Sequence, residues 1–118
     1  MAKILLVDGD QARLEAARRA LAGPDYEVVV APSSSFALTM LEWDPPDLVI
    51  SQAEVPGIDG YELCSIIRSD PKTKDLPFLL LTDSKGPISG AATRAGVDMV
   101  LAGRTKLADI VGSIRGLL

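Results

Sequence analysis

The sequence contains no histidine and only one cysteine, Cys64. Without histidine the chain lacks the commonest general base and metal-binding side chain, and Cys64 has no imidazole to activate it as a nucleophile. A single cysteine also excludes an internal disulfide and fits a reducing compartment, so we expect a cytoplasmic location. These absences make catalysis the least favoured class of function, and we expect the chain not to be an enzyme.

Long apolar runs and basic clusters are also missing. No apolar stretch approaches the roughly 20 residues that span a bilayer, and the N-terminal segment MAKILLVDGD resembles neither a signal peptide nor an anchor. The formal net charge is -4 and the longest basic run is Arg18-Arg19. We therefore expect no membrane partner, and no nucleic-acid binding by this domain alone.

What the sequence does contain is a regular alternation of short apolar runs and amphipathic segments. The runs are continuous rather than alternating, which indicates strands buried on both faces of a sheet. They lie at Ile4–Val7, Val28–Val30, Leu48–Ile50, Phe78–Leu81 and Met99–Ala102.

The segments between these runs have helical spacing and polar residues suited to helix caps. The proposed caps are Asp10, a residue from Ser33 to Ser35, Asp59 and Thr105. The fourth helix, after Gly86-Pro87, is the weakest because it is short and rich in Gly and Ala. Five strand–helix pairs predict an α/β fold, a flavodoxin-like (βα)5 three-layer sandwich whose parallel sheet has the order 2-1-3-4-5. We expect one domain over residues 1–118, either a whole small protein or the N-terminal module of a longer one.

In such a sheet, ligands bind beyond the carboxyl ends of the strands where the strand order reverses, here between strands 1 and 3. Strand 1 ends at Asp8-Gly9, strand 3 at Gln52, strand 4 at Thr82 and strand 5 near Gly103. The candidate site is therefore a cleft that contains a neutral amide in a position where a carboxylate is the more usual choice.

The same segments resemble the receiver domains of bacterial response regulators. The similar stretches are KILLVDGD, PDLVISQAEVPGIDGYEL, LPFLLLTD and AGVDMVLAGR. The resemblance implies two-component signalling, in which an aspartate at the end of strand 3 accepts a phosphoryl group from a histidine kinase. In that family, an acidic pair after strand 1 helps to hold magnesium, a Thr or Ser ends strand 4, and a Lys followed by a cis-Pro ends strand 5.

Matched to that pattern position by position, this sequence departs from it at most reactive positions. Asp8 matches the first acid of the pair and Thr82 matches the switch hydroxyl. The departures are Gly9 at the second acid, Gln52 at the phosphoacceptor, Gly103 at the lysine, Arg104 at the proline and Val100 at the switch aromatic. The resemblance therefore implies an atypical receiver, or pseudo-receiver, with a degenerate phosphoacceptor site.

The chemistry of these departures favours a site that no longer accepts a phosphoryl group. A carboxamide is a much weaker nucleophile than a carboxylate, so Gln52 is not expected to be phosphorylated. Magnesium prefers several charged oxygens in octahedral geometry. Only Asp8, Asp10 and Glu54 remain as weak metal candidates, and Asp10 is better suited to capping the first helix. We expect no cofactor, and weak or absent magnesium binding.

Three functions compete on this basis. The favoured one is a phosphorylation-independent interaction module that binds a signalling protein or a neighbouring output domain, with a homodimer as a further option. Its partner face is expected on helix 4, strand 5 and helix 5, with Ile88, Ala92, Val100 and Arg104 as contacts. The alternatives are a phosphoacceptor that uses a substitute acid such as Asp8, Asp10 or Glu54, and a small-molecule sensor that binds in the cleft.

Two further side chains have structural interpretations. Cys64 lies near the apolar stripe of the third helix and is expected to be a core thiol. Trp43 could anchor a partner, but we expect it to cover the end of the second helix.

Overall fold

A computed structural model describes residues 2–83, 90–102 and 107–118, and within these ranges the chain forms five strands and five helices. The strands are β1 Ala2–Val7, β2 Tyr26–Ala31, β3 Leu48–Gln52, β4 Phe78–Thr82 and β5 Met99–Ala102. The helices are α1 Gln11–Leu21, α2 Ser34–Trp43, α3 Gly60–Ser69, α4 Gly90–Ala95 and α5 Leu107–Leu117. All four strand pairings are parallel and the sheet order is β2-β1-β3-β4-β5, which confirms the predicted flavodoxin-like fold.

Successive residues of each central strand point to opposite faces of the sheet, and each face is covered by helices. Leu5 and Val7 of β1 pack into a cluster with residues of α2 and α3. Ile4 and Leu6 pack into a second cluster with residues of α1 and α5. The continuous apolar runs are thus explained by burial on both sides, and the three-layer arrangement is confirmed.

Three of the proposed helix caps are present. Asp10 accepts a hydrogen bond from the backbone nitrogen of Arg13 at 3.0 Å. Ser33 and Asp59 do the same for α2 and α3, at 3.2 Å and 2.8 Å. The fourth proposed cap, Thr105, lies outside the described residues.

The loop from β3 to α3 is fixed onto the start of α2 by Ser34. Ser34 is 1% exposed; its hydroxyl donates to the carbonyl of Pro56 at 3.1 Å and accepts from the backbone nitrogen of Ile58 at 2.9 Å. Between them, Gly57 has a φ of +95°, a conformation that residues with a Cβ rarely adopt. The Pro-Gly-x-Asp-Gly turn is therefore a docked element at the edge of the sheet.

Arg68 ties the end of α3 to the segments that precede β4 and β5. Its Nε donates to the carbonyl of Gly96 at 3.0 Å and its Nη1 to the carbonyl of Leu76 at 2.6 Å. Its Nη2 pairs with Asp98 at 2.8 Å. This clamp stabilises the side of the molecule on which α4 and β5 lie.

The prediction for Trp43 is wrong, since this side chain is 81% exposed. Ala37 and Leu41 are buried and lie on the inward face of α2. Trp43 follows Leu41 by two residues, about 200° around the helix, and so points to solvent.

Among the described residues, no helix is long and apolar enough to cross a membrane.

Candidate functional site

The strand register brings the polar strand ends to one edge of the sheet. Val7 pairs with Ser51, Gln52 with Leu81, and Thr82 with Ala102. Asp8 directly follows Val7, so Asp8, Gln52 and Thr82 lie at the same carboxyl edge, as predicted. Gly103 lies outside the described residues.

A cavity of about 520 Å³ opens at this edge. Its lining combines the amide of Gln52 and the hydroxyl-bearing Thr82 with acidic side chains and one guanidinium. The lining residues are Arg13, Gln52, Ala53, Glu54, Asp59, Tyr61, Leu81, Thr82 and Asp83. A cavity is therefore present at the predicted edge of the sheet, but its lining comes from the ends of β3 and β4 rather than from β1. It also includes a cation that the sequence did not lead us to expect.

That cation is Arg13, which binds Asp8 through two atoms of its guanidinium. Nε donates to Oδ2 at 2.5 Å and Nη2 donates to Oδ1 at 2.9 Å. Oδ1 also accepts from the backbone nitrogen of Asp10 at 2.9 Å. Asp8 is 5% exposed, and its hydrogen bond raises the pKa of Arg13 above the ordinary value. Both carboxylate oxygens of Asp8 are thus engaged by the chain itself.

The signal that could have revealed Arg13 is its place in α1. It is the third residue of the helix, where the positive end of the helix dipole disfavours a cation, and the first turn contains no acid. An arginine there needs an anion nearby, and Asp8 and Asp10 are the neighbours that provide it.

Gly9 is packed too closely for a side chain. A Cβ built on Gly9 would lie 2.6 Å from Cδ and 2.9 Å from Cγ of the Pro56 ring. The space beside Gly9 is therefore taken by the β3–α3 turn, and the absence of a side chain at Gly9 is part of the packing of that turn.

The backbone at Gln52 is held on both sides. The next residue, Ala53, donates from its nitrogen to the carbonyl of Leu81 at 2.7 Å. The carbonyl of Gln52 accepts from the Ser51 hydroxyl at 2.9 Å, and a Cβ on Gly60 would come within 2.5 Å of it. The half-buried Gln52 side chain thus lines the cavity from a fixed strand end.

The family's magnesium does not fit the described residues at this edge. Asp8 is held by Arg13, and Asp10 uses Oδ1 to cap α1. Glu54 is exposed on the cavity rim. Within the described ranges, no group of three His, Cys, Asp or Glu side chains is placed to hold a metal ion.

The proposed partner face needs one correction. Ala92 is 3% exposed, because α4 packs this side of the helix inward beside α3, so it is not a surface contact. Val100 is partly buried against the core. Ile88 and Arg104 lie outside the described residues, and the face as a whole stays a prediction.

Comparison with known proteins identifies the family. The sequence matches the response regulator receiver domain over residues 4–115. The chain belongs to this family. Over 118 residues this receiver domain is 36% identical to the response regulator MprA of Mycolicibacterium vanbaalenii, covering 98% of this chain and 50% of MprA. Over 85 residues it is 34% identical to the response regulator PleD of Caulobacter vibrioides, covering 72% of this chain and 19% of PleD. The chain therefore spans half or less of the length of these curated relatives.

Solved structures agree with the family. The signal receiver domain of a signal transduction histidine kinase from Syntrophus aciditrophicus superposes with a TM-score of 0.89 at 26% identity, covering all of this chain and 90% of that one. The chemotaxis response regulator CheY4 of Vibrio cholerae superposes with a TM-score of 0.93 at 24% identity, covering 100% and 99% of the two chains. At that identity the CheY4 likeness supports the fold of this receiver domain alone.

Proposed function

We propose that this receiver domain signals by protein–protein contact and without phosphorylation at Gln52. The observation that carries the proposal is the carboxamide of Gln52 at the last residue of β3, where it lines the cavity. We take this residue to stand where the family has its phosphoacceptor. An acyl phosphate requires a carboxylate oxygen as the nucleophile, and an amide oxygen is a poor replacement.

The surroundings of Gln52 support the same proposal. Phosphoryl transfer depends on cations that stabilise charge on the equatorial oxygens, and in this family the metal is held by the acidic pair after β1. Here the first acid, Asp8, is bound by Arg13, and the second position is Gly9. A substitute acceptor at Asp8 would have to leave a two-point ion pair before it could react.

The partner is proposed to be a signalling protein in the cytoplasm or a neighbouring output domain, bound at the face of α4, β5 and α5. Thr93 and Arg94 are exposed on α4 and offer polar contacts there. The greater length of the response regulators MprA and PleD is consistent with a neighbouring domain. A homodimer through the same face is a further form of this proposal.

The decisive experiment is an amide NMR titration with magnesium chloride, followed by magnesium plus beryllofluoride as a phosphoryl mimic. We expect no shifts at millimolar ligand for the amides of Asp8, Gln52, Thr82 and Gly103. A typical receiver domain with an intact acidic pair, titrated in parallel, shows that the mimic is active. Concerted shifts that spread from these amides into α4 would contradict the proposal.

Such shifts would favour the substitute-acid alternative, for which the exposed Glu54 on the cavity rim is the first candidate. A Glu54→Gln variant would then abolish the shifts if Glu54 is the acceptor. The variant keeps the size of the side chain, so a change in its titration reports on the carboxylate itself.

The cavity itself favours a second candidate function, the sensing of a small molecule. Its volume of about 520 Å³ lies in the range of ligand pockets. Seven of its nine lining residues carry a polar or charged group, so the ligand would be a small polar molecule. A ligand that binds the folded state raises the melting temperature. A thermal-shift screen of small metabolites tests this function, and a hit whose effect is lost in Gln52→Ala and in Thr82→Val would assign the ligand to this cavity.

A further inference from the structure

We propose that Arg13 supplies from within the chain the positive charge that a divalent cation would otherwise supply beside Asp8, and so fixes this edge of the site in one metal-independent arrangement. The inference rests on the proposed function and deepens it, because it names what replaces metal-dependent control at the same site.

Arg13 and Asp8 are aligned for a two-point contact between a guanidinium and a carboxylate. Two guanidinium nitrogens meet the two oxygens of one carboxylate at 2.5 Å and 2.9 Å. The Asp8 side chain is 7% exposed, whereas that of Arg13 is 46% exposed. A planar fork on a buried carboxylate gives directional, charge-assisted bonds, which a solvated lysine or a diffusing ion would not reproduce.

The acids around the pair explain why a cation is needed at all. Asp8, Asp10 and Asp83 each raise the pKa of Arg13 through their negative charge. Glu54 and Asp59 also line the cavity that Arg13 reaches. Carboxylates collected at one strand edge repel one another, and a positive charge among them relieves that repulsion.

A guanidinium suits this particular set of residues better than a metal ion does. One carboxylate satisfies the fork of an arginine, while magnesium is held by several oxygens in octahedral order. Pro56 lies where a second carboxylate at position 9 would begin, 2.6 Å from a Cβ built on Gly9. The lack of a side chain at Gly9 and the guanidinium of Arg13 therefore fit together in one arrangement that needs no metal ion.

The position of Arg13 in α1 strengthens the inference. A cation in the first turn opposes the helix dipole, so the residue is placed against local helix preference. The same helix contains Arg18, which also forms a two-point pair with a carboxylate, Glu15, but on the surface and away from the site. Arg18 is thus a control for the loss of a surface ion pair in α1, in which Glu15 keeps Arg19 as a second partner at 3.2 Å.

The experiment measures melting temperatures of the wild type, Arg13→Met and Arg18→Met, each in magnesium chloride and in sodium chloride of equal ionic strength. We expect the wild type and Arg18→Met to melt at the same temperature in both salts. Arg13→Met leaves a buried carboxylate unpaired, so we expect it to melt several degrees below Arg18→Met in sodium chloride and to recover part of that loss in magnesium.

A second variant and a second readout decide the matter if Arg13→Met does not fold. Arg13→Lys keeps a cation but loses the fork, and we expect a smaller melting deficit with a smaller recovery in magnesium. In the wild type, millimolar manganese should leave the Asp8 and Asp10 amide signals sharp in NMR spectra, because no ion enters. Broadening of those signals in the wild type, or equal salt responses in the Arg13 and Arg18 variants, would overturn the inference.

The results separate this inference from the proposed function. If the wild type resists beryllofluoride but the Arg13 variants respond to magnesium no more than Arg18→Met, the function stands and the role of Arg13 is wrong. If magnesium plus beryllofluoride shifts the Glu54 amide and α4 in the wild type while the Asp8 and Asp10 amides stay unmoved, and Arg13→Met alone gains a magnesium response at Asp8, the proposed function fails and the pairing role of Arg13 stands.

Discussion

Ser34 is a single hydroxyl that joins two segments more than twenty residues apart. It sits in the first turn of α2, donates to the carbonyl of Pro56 and accepts from the nitrogen of Ile58. Its own backbone nitrogen also donates to the carbonyl of Pro56, at 3.1 Å. The turn that follows Gln52 is thereby fixed in position, and with it the ring of Pro56 that packs on Gly9.

We predict that Ser34→Ala lowers the free energy of unfolding by about 1–3 kcal/mol, because the partly buried nitrogen of Ile58 loses its acceptor. Urea unfolding followed by circular dichroism measures the change. Ser35→Ala, one residue along on the exposed side of α2, is the control and should stay within about 0.5 kcal/mol of the wild type. Equal effects of the two substitutions would show that the Ser34 hydroxyl does not anchor the turn.

At the scale of elements, the site is shaped by how the β3–α3 turn rests on the loop after β1. Gly9 and Pro56 meet at a distance that only a missing side chain permits. The φ of Gly9 is not positive, so the requirement for glycine comes from packing rather than from backbone conformation. The turn and the strand end are consequently one unit, and a change in either moves both.

We predict that Gly9→Ala lowers the free energy of unfolding by about 1–3 kcal/mol, since its Cβ would press on the rigid ring of Pro56. Gly9→Asp should be at least as destabilising, and by itself should not restore magnesium binding while Arg13 holds Asp8. Gly23→Ala is the control, because a Cβ there meets nothing within 4 Å. It should change stability by no more than about 1 kcal/mol. A stable Gly9→Ala protein would mean that the turn moves aside easily.

At the scale of the whole molecule, the sequence predicts the order of the sheet and its burial well because both depend on patterns along the chain. Leu48, Val49 and Ile50 form one apolar run and enter both core clusters, as a parallel central strand requires. Contacts between distant segments are not encoded in such a pattern. Arg13 on Asp8, Ser34 on Pro56 and Arg68 on Gly96 each depend on the folded geometry, which periodicity along the chain does not describe.

The candidate site was predictable to a similar degree. The positions of Asp8, Gln52 and Thr82 follow from the strand ends, so the structure brings them together as expected. The cation in the site was missed because helical periodicity assigns Arg13 to the surface of α1. Trp43 was expected to cover the end of α2, but its place two residues after the buried Leu41 directs it to solvent.

The core between the sheet and helices α2 and α3 contains an ionisable group, so the free energy of unfolding depends on pH in the alkaline range. Cys64 is 0% exposed within that cluster, as the sequence predicted for a core thiol. Burial disfavours the thiolate and raises the pKa of Cys64 from 9.0 to about 11. Below pH 9 both the folded and the unfolded chain keep the proton, so this thiol gives stability no pH dependence there.

Between pH 9 and pH 11 the unfolded chain loses the thiol proton while the folded chain retains it. We therefore predict that the free energy of unfolding falls over this window, by about 2–3 kcal/mol once pH 11 is passed. Urea unfolding from pH 8 to pH 11 measures the fall, and Cys64→Ala removes the thiol as the control. The variant is less stable at neutral pH because it leaves a small cavity, but the gap to the wild type should narrow as the pH rises. A gap that stays constant to pH 11 would show that the Cys64 thiolate is not excluded from the folded core.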